Sequence, residues 1–108
     1  MKIIKISVQE PYFSYIMSGE KTVEGRLNKD KFLELEVGDI LEINGQANFK
    51  IIKKNTYKNF REMIMVEGVN NVLPDKNNID EAVDVYYRFY SKQDETAYGV
   101  VGIILKKI

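Results

Sequence analysis

Lys21, Thr22, Glu24 and Arg26 fall within one octapeptide, Gly19-Glu20-Lys21-Thr22-Val23-Glu24-Gly25-Arg26. Two cations, a carboxylate and a hydroxyl so close together suit two kinds of chemistry. Lys21 and Arg26 can take phosphate or carbonyl oxygens, Arg26 through a planar two-pronged fork. Glu24 can orient one of those cations or act as a base. On an extended segment Thr22, Glu24 and Arg26 project from one face, while Val23 and Gly25 project from the other. The plain structural alternative is a solvated strand face carrying a weak Glu24–Arg26 pair.

A second group lies downstream. The segment from Lys50 to Arg61 holds Lys53, Lys54 and Lys58 with Tyr57 and Phe60 among them, and no acid. Cations that meet phosphates and rings that stack on bases suit single-stranded nucleic acid. A lysine-protected edge strand would look the same. Two further side chains extend the octapeptide's chemistry. Tyr15, on the helix leading into it, and Ser91, at the end of a later helix, could join Lys21 in a phosphodiester cleavage without histidine. Otherwise they are a tyrosine at the core margin and a serine ending a helix. The ligand-binding candidates are therefore Lys21, Thr22, Glu24, Arg26, Lys53, Lys54 and Tyr57. The catalytic candidates, if the chain is an enzyme, are Lys21, Tyr15 and Ser91. The acids Asp75, Asp80, Glu81 and Asp84 fit no metal-ligand loop. Neither a metal nor another cofactor is expected.

Composition narrows the classes. At 108 residues the chain reads as one domain, residues 1–108. Sixteen basic and sixteen acidic side chains cancel, so any site for a polyanion must be a local patch. There is no cysteine, which excludes disulfides and thiol chemistry. There is no histidine, which removes the usual neutral-pH acid/base and the commonest zinc ligand. No signal-peptide pattern and no membrane-length apolar run are present, so a cytoplasmic location is expected.

The elements that must position these residues are legible in outline. Residues 2–8 read as a mostly buried strand rich in isoleucine. A helix opens at Pro11, buries Phe13, Ile16 and Met17, and ends at Gly19 in a left-handed conformation. The octapeptide follows as a strand, and residues 28–35 hold a short helical turn. Val37-Gly38-Asp39 turns into a strand over Ile40–Ile43, and Asn44-Gly45 signals a hairpin. Its second strand runs through Phe49, Ile51 and Ile52. A short helix over Phe60–Val66 precedes a loop at 67–77. Asn78 caps a helix carrying Ile79, Ala82, Val83, Tyr86 and Tyr90 at helical spacing. Tyr98 to Leu105 is an apolar, central last strand. The mixture argues an α+β fold.

Gly19-x-Lys21-x-x-Glu24-x-Arg26 resembles the signature of the ASCH domain family, and the order of the other landmarks resembles it as well. They are the Val37-Gly38-Asp39-Ile40 turn, a later helix ending in aromatics, and Tyr98-Gly99-Val100-Val101-Gly102-Ile103. The resemblance covers about residues 3–105. It implies a PUA-like fold: a small, partly open β-barrel of about five strands with flanking helices and a cleft beside the signature. It also implies a role with RNA or a nucleotide- or nucleoside-like ligand. Some family members bind RNA. Others are proposed hydrolases, of ribonuclease or amidohydrolase type. In one branch that removes an acetyl group from acetylated cytidine, the signature reads G-x-K-T-x-T-x-R with the second threonine as nucleophile. Here Glu24 stands at that position, and Thr22 lies two residues away, so the departure counts against acyl transfer.

Overall fold

In the computed structural model, which describes residues 1–108, the strands are β1 (Ile3–Ile6), β2 (Val23–Leu27), β3 (Ile40–Ile43), β4 (Ala47–Tyr57) and β5 (Val100–Lys107). They form one five-stranded sheet in the order β1-β3-β4-β5-β2. β1 and β3 are parallel and every other neighbouring pair is antiparallel. The two edges of this partly open barrel are thus β1 and β2. Its curvature has a local source in β4, whose register shifts between Ile51 and Lys53. Such a bulge bends a strand and increases its twist. β4 can therefore pair with β3 through Ala47–Lys50 and follow β5 as far as Tyr57. The β3–β4 hairpin turns at Asn44 and Gly45, both with positive φ (56° and 65°), as the Asn-Gly pair predicts.

Five helices flank the sheet: α1 (Tyr12–Ser18), α2 (Phe60–Glu67), α3 (Val69–Val72), α4 (Ile79–Tyr87) and α5 (Lys92–Tyr98). Gly19 ends α1 at φ 86°, the left-handed conformation that glycine adopts without steric cost. Asn59, Asn78 and Ser91 cap α2, α4 and α5, each accepting the backbone N–H three residues on. Two apolar clusters result. Inside the barrel, Ile6, Phe13 and Ile16 pack with Leu41, Ile43, Phe49, Ile51, Val101, Ile103 and Leu105. Outside it, Phe60, Met63, Ile64, Val72, Val83 and Tyr86 pack on Val23, Leu27 and Val100. β2 lies between the two, so its two faces look into different surroundings.

Five sequence readings are corrected. The first strand is not mostly buried: Ile3 is 61% exposed and only Ile6 is buried, because β1 is an edge. Residues 67–77 are not all loop. Gly68 ends α2 at φ 96°, and α3 begins directly after it and buries Val72. Ser91 does not end the long helix but caps a separate one. That helix, α5, takes up Tyr98, so the last strand starts at Val100. β4 is not a lysine-protected edge, since it lies between β3 and β5. No helix is long and apolar enough to cross a membrane.

Candidate functional site

The junction from α1 into β2 carries Lys21 into the protein. Gly19 breaks the helix, the Lys21 N–H donates to the Tyr15 carbonyl at 3.0 Å, and the Thr22 N–H donates to Asn71 O at 3.0 Å. With its backbone pinned between α1 and α3, Lys21 is only 3% exposed. Its ammonium donates to the carbonyls of Val23 at 2.6 Å and Val72 at 2.5 Å, and lies 3.3 Å from Glu24 Oε1. All three ammonium protons thus have acceptors. Burial lowers the pKa of Lys21, and the Glu24 carboxylate opposes that shift.

Glu24 is 6% exposed and passes the charge on. Its other oxygen accepts from Arg26 Nε at 2.8 Å. Burial works to raise its pKa, but Lys21 and Arg26 together hold the carboxyl below the ordinary value. Arg26 then spans the barrel's open seam: its Nη2 donates to the Ser7 carbonyl, just beyond β1, at 2.6 Å. The ring of Phe32 lies beneath the guanidinium, 5.4 Å from its carbon. Ser7 is held in turn by its neighbour, because the Asn44 side chain bonds both the N–H and the carbonyl of Val8. Two cations and one anion leave the buried chain with a net charge of +1, and no protein acceptor takes Arg26 Nη1.

A cleft of about 220 Å³ opens at this seam. Lys21, Glu24 and Arg26 line its polar end, with the Ser7–Gln9 segment on one side. Tyr12, Tyr86, Phe89 and Tyr90 supply aromatic walls. Phe60 fixes two of them by stacking on Tyr86 at 4.3 Å and on Tyr90 at 5.3 Å between centroids. Phe89 is 53% exposed at the rim. The Tyr86 and Tyr90 hydroxyls have no protein partner. Burial pushes both phenols above their ordinary pKa, with the Glu24 carboxylate reinforcing the effect. Tyr12 is pushed up to about 12 by burial and by the Asp75 carboxylate beside it. These phenols therefore stay protonated at neutral pH. The cleft offers hydrogen-bond donors and aromatic surface. Its one carboxylate is charged, with both oxygens engaged, and is poorly placed to move a proton.

Of the residues singled out from sequence, Lys21, Glu24 and Arg26 are brought together and the others are not. Thr22 lines a second pocket with Met17, Gly19 and Phe49, which Lys21 also borders, and does not line the cleft of Glu24 and Arg26. Tyr15 is half-buried with its ring 6.4 Å from that of Tyr12, and Tyr12, not Tyr15, reaches the cleft. The Ser91 hydroxyl caps α5. The Lys54 ammonium donates to the Leu33 and Leu35 carbonyls. The Tyr57 hydroxyl donates to Glu67. Lys53 is exposed. Sequence reasoning missed Tyr12, Phe89, Gly25 and the Ser7–Gln9 wall, and it read Tyr86 and Tyr90 as core alone. A signal existed in the four-residue spacing of Tyr86 and Tyr90: Tyr90 lies beyond the end of α4, but the turn there keeps it beside Tyr86, its N–H donating to the Tyr86 carbonyl at 2.9 Å.

Comparison with known proteins agrees with this architecture. The family model described as ASCH domain matches residues 6–108. The crystal structure of the hypothetical protein PH0355 superposes with a TM-score of 0.95 at 38% identity, covering 100% of both chains. The solution structure of protein PF0455 from Pyrococcus furiosus superposes with a TM-score of 0.84 at 34% identity, covering 98% of this chain and 97% of that one. No curated protein matches the sequence. With the signature residues at the barrel seam and the family model spanning nearly the whole chain, the protein belongs to the ASCH domain family.

Proposed function

We propose that the seam cleft binds RNA through one nucleoside-sized unit, or an equivalent free nucleotide, with Arg26 as its polar anchor. The observation that carries this reading is the buried Lys21–Glu24–Arg26 chain, which ends in a guanidinium with one free nitrogen inside an aromatic-lined cleft. A guanidinium held by a carboxylate and a carbonyl is already oriented, so a ligand oxygen meets it at little entropic cost. Rings that stack and a cation that pairs are the features by which proteins take single unstacked bases. The volume, about 220 Å³, is below that of drug-sized sites and suits one ring system rather than a strand. Exposed Lys53 would then act only on the flanking phosphates.

The other reading, a metal-free hydrolase using Lys21 with Tyr15 or Ser91, has less support. Neither Tyr15 nor Ser91 lines the cleft, and the Lys21 protons are already shared among three acceptors. Fluorescence titration of a labelled single-stranded RNA with the wild type and with Arg26→Ala tests the proposal. The variant should bind about tenfold or more weakly, the loss of a charge-assisted hydrogen bond. Equal affinity in a folded Arg26→Ala protein would refute it.

A further inference from the structure

β2 is an edge strand, and its free side is read from the bonds on its paired side. The Leu105 N–H donates to the Thr22 carbonyl, and the Asn28 N–H donates to the Gly99 carbonyl. The register between β2 and β5 runs without a shift, from Val23 opposite Ile104 to Leu27 opposite Val100. In an antiparallel pair, alternate residues turn their backbone groups toward the partner. Even-numbered residues of β2 therefore face β5, and Val23, Gly25 and Leu27 present their N–H and C=O to the open edge. Two of the three outward carbonyls have partners that agree with this: Val23 O accepts from Lys21 Nζ and Leu27 O from the Lys29 N–H. Between them, Gly25 has neither a donor for its carbonyl nor an acceptor for its N–H. Gly25 is buried, and it lines the cleft. A buried backbone pair without partners is uncommon enough to need a cause.

We infer that the free backbone edge of Gly25 pairs with the hydrogen-bonding edge of a nucleobase. This rests on the cleft being a site for a nucleoside-sized ligand, and it adds which backbone groups meet the base. The N–H and C=O of one strand residue point the same way, so Gly25 offers a donor beside an acceptor. Arg26 comes next in the chain, and its free Nη1 adds a second donor at the seam. The complement of the Gly25 pair is an acceptor beside a donor. Uracil supplies that pair from a ring carbonyl and its ring N–H, and cytosine from its ring nitrogen and exocyclic amine. The position also needs glycine for packing. A Cβ at Gly25 would lie 2.7 Å from Met63 Cε and 3.0 Å from the Tyr86 hydroxyl, so glycine lets α2 and α4 close against the strand that carries the edge.

The test uses the intact protein, amide NMR, and three probes: uridine, 3-methyluridine and cytidine. Uridine should shift the Gly25 amide and slow its exchange. The methyl at N3 removes the ring donor, so 3-methyluridine should bind about tenfold to a hundredfold more weakly, whereas cytidine should bind like uridine. Two results overturn the inference while sparing the cleft. In one, uridine perturbs Phe89 and Arg26 but leaves the Gly25 amide unmoved. In the other, the three nucleosides bind the cleft equally. If none of the probes perturbs any cleft residue, the cleft reading itself fails and this inference falls with it.

Discussion

Lys21 and Glu24 form a buried ion pair, 3.3 Å from Nζ to Oε1, in which the lysine faces carbonyl oxygens and the glutamate alone faces the open cleft's arginine. Lys21 is thereby a positioning residue for Glu24, and Glu24 for Arg26. The cost of losing Lys21 should appear first in stability. Lys21→Ala strands the Val23 and Val72 carbonyls and half of a buried carboxylate, so it should lower the unfolding free energy by about 3–5 kcal/mol. Urea denaturation checks this. A stable Lys21→Ala protein that has lost only ligand affinity would instead make Lys21 a direct ligand contact.

Stability should also fall in acid, and the residues responsible can be named. Glu24 and Asp39 both have depressed pKa values. Glu24 is held down by Lys21 and Arg26 against the effect of burial, and Asp39 by the backbone N–H groups of Lys2 and Glu36, each at 2.9 Å. A carboxylate with a depressed folded pKa stabilises fully above its unfolded value and loses that contribution as pH falls through the folded one. Thermal unfolding from about pH 7 down to about pH 2 should show a steep acid limb. Glu24→Gln and Asp39→Asn should start from a lower melting temperature at neutral pH and show a shallower limb. A limb of unchanged steepness in both variants would place the acid sensitivity elsewhere.

The basic segment separates into two roles that one pair of variants can resolve. Lys54 holds the Leu33 and Leu35 carbonyls, and burial lowers its pKa, whereas Lys53 is exposed with no protein partner. Lys54→Glu should destabilise the turn around Asp30–Phe32 by about 1–2 kcal/mol. Lys53→Glu should leave unfolding unchanged and, if the segment meets RNA phosphates, reduce the salt slope of binding by about one unit. An unaltered slope for Lys53→Glu removes this segment from the RNA surface.

What could be read in the sequence follows from the range of the interactions involved. The Glu24–Arg26 pair was visible because strand alternation is local. The Gly19 cap and the Asn44-Gly45 turn were visible because each depends on the φ of one or two residues. The burial of Lys21 was not, because its acceptor at Val72 belongs to a four-residue helix inside a stretch that reads as loop, 51 residues away. Tyr86 has core spacing and does stack in the core, yet it also lines the cleft, and periodicity cannot divide one side chain between two environments. The free edge of Gly25 depends on strand order, which places β2 at the rim, and no local pattern encodes that.

Glu95 illustrates the same limit and supplies a further prediction. In sequence it is one more acid in the first turn of α5, suited to the helix dipole. In the fold it is buried at 6% exposure, where Oε2 accepts the Phe60 N–H at 2.8 Å and Oε1 accepts the Tyr87 hydroxyl at 2.6 Å. It therefore ties α5 to the start of α2 and to α4, and Phe60 is the ring that stacks on Tyr86 and Tyr90 in the cleft wall. Glu95→Ala leaves a buried N–H without an acceptor and should cost about 2–3 kcal/mol, with Glu95→Gln costing less because one oxygen remains. The Tyr87 phenol, pushed up to about 12 by burial and by the Glu95 carboxylate, should contribute stability that is complete below its ordinary value of 10.0 and fades as pH rises through the folded value. Chemical denaturation of Tyr87→Phe across that alkaline range should show a smaller fade than wild type, the remainder coming from the other raised phenols, Tyr12, Tyr86 and Tyr90 among them. A Glu95→Ala protein as stable as wild type, with unshifted Phe60 and Tyr90 resonances, would show that the cleft wall is held without Glu95.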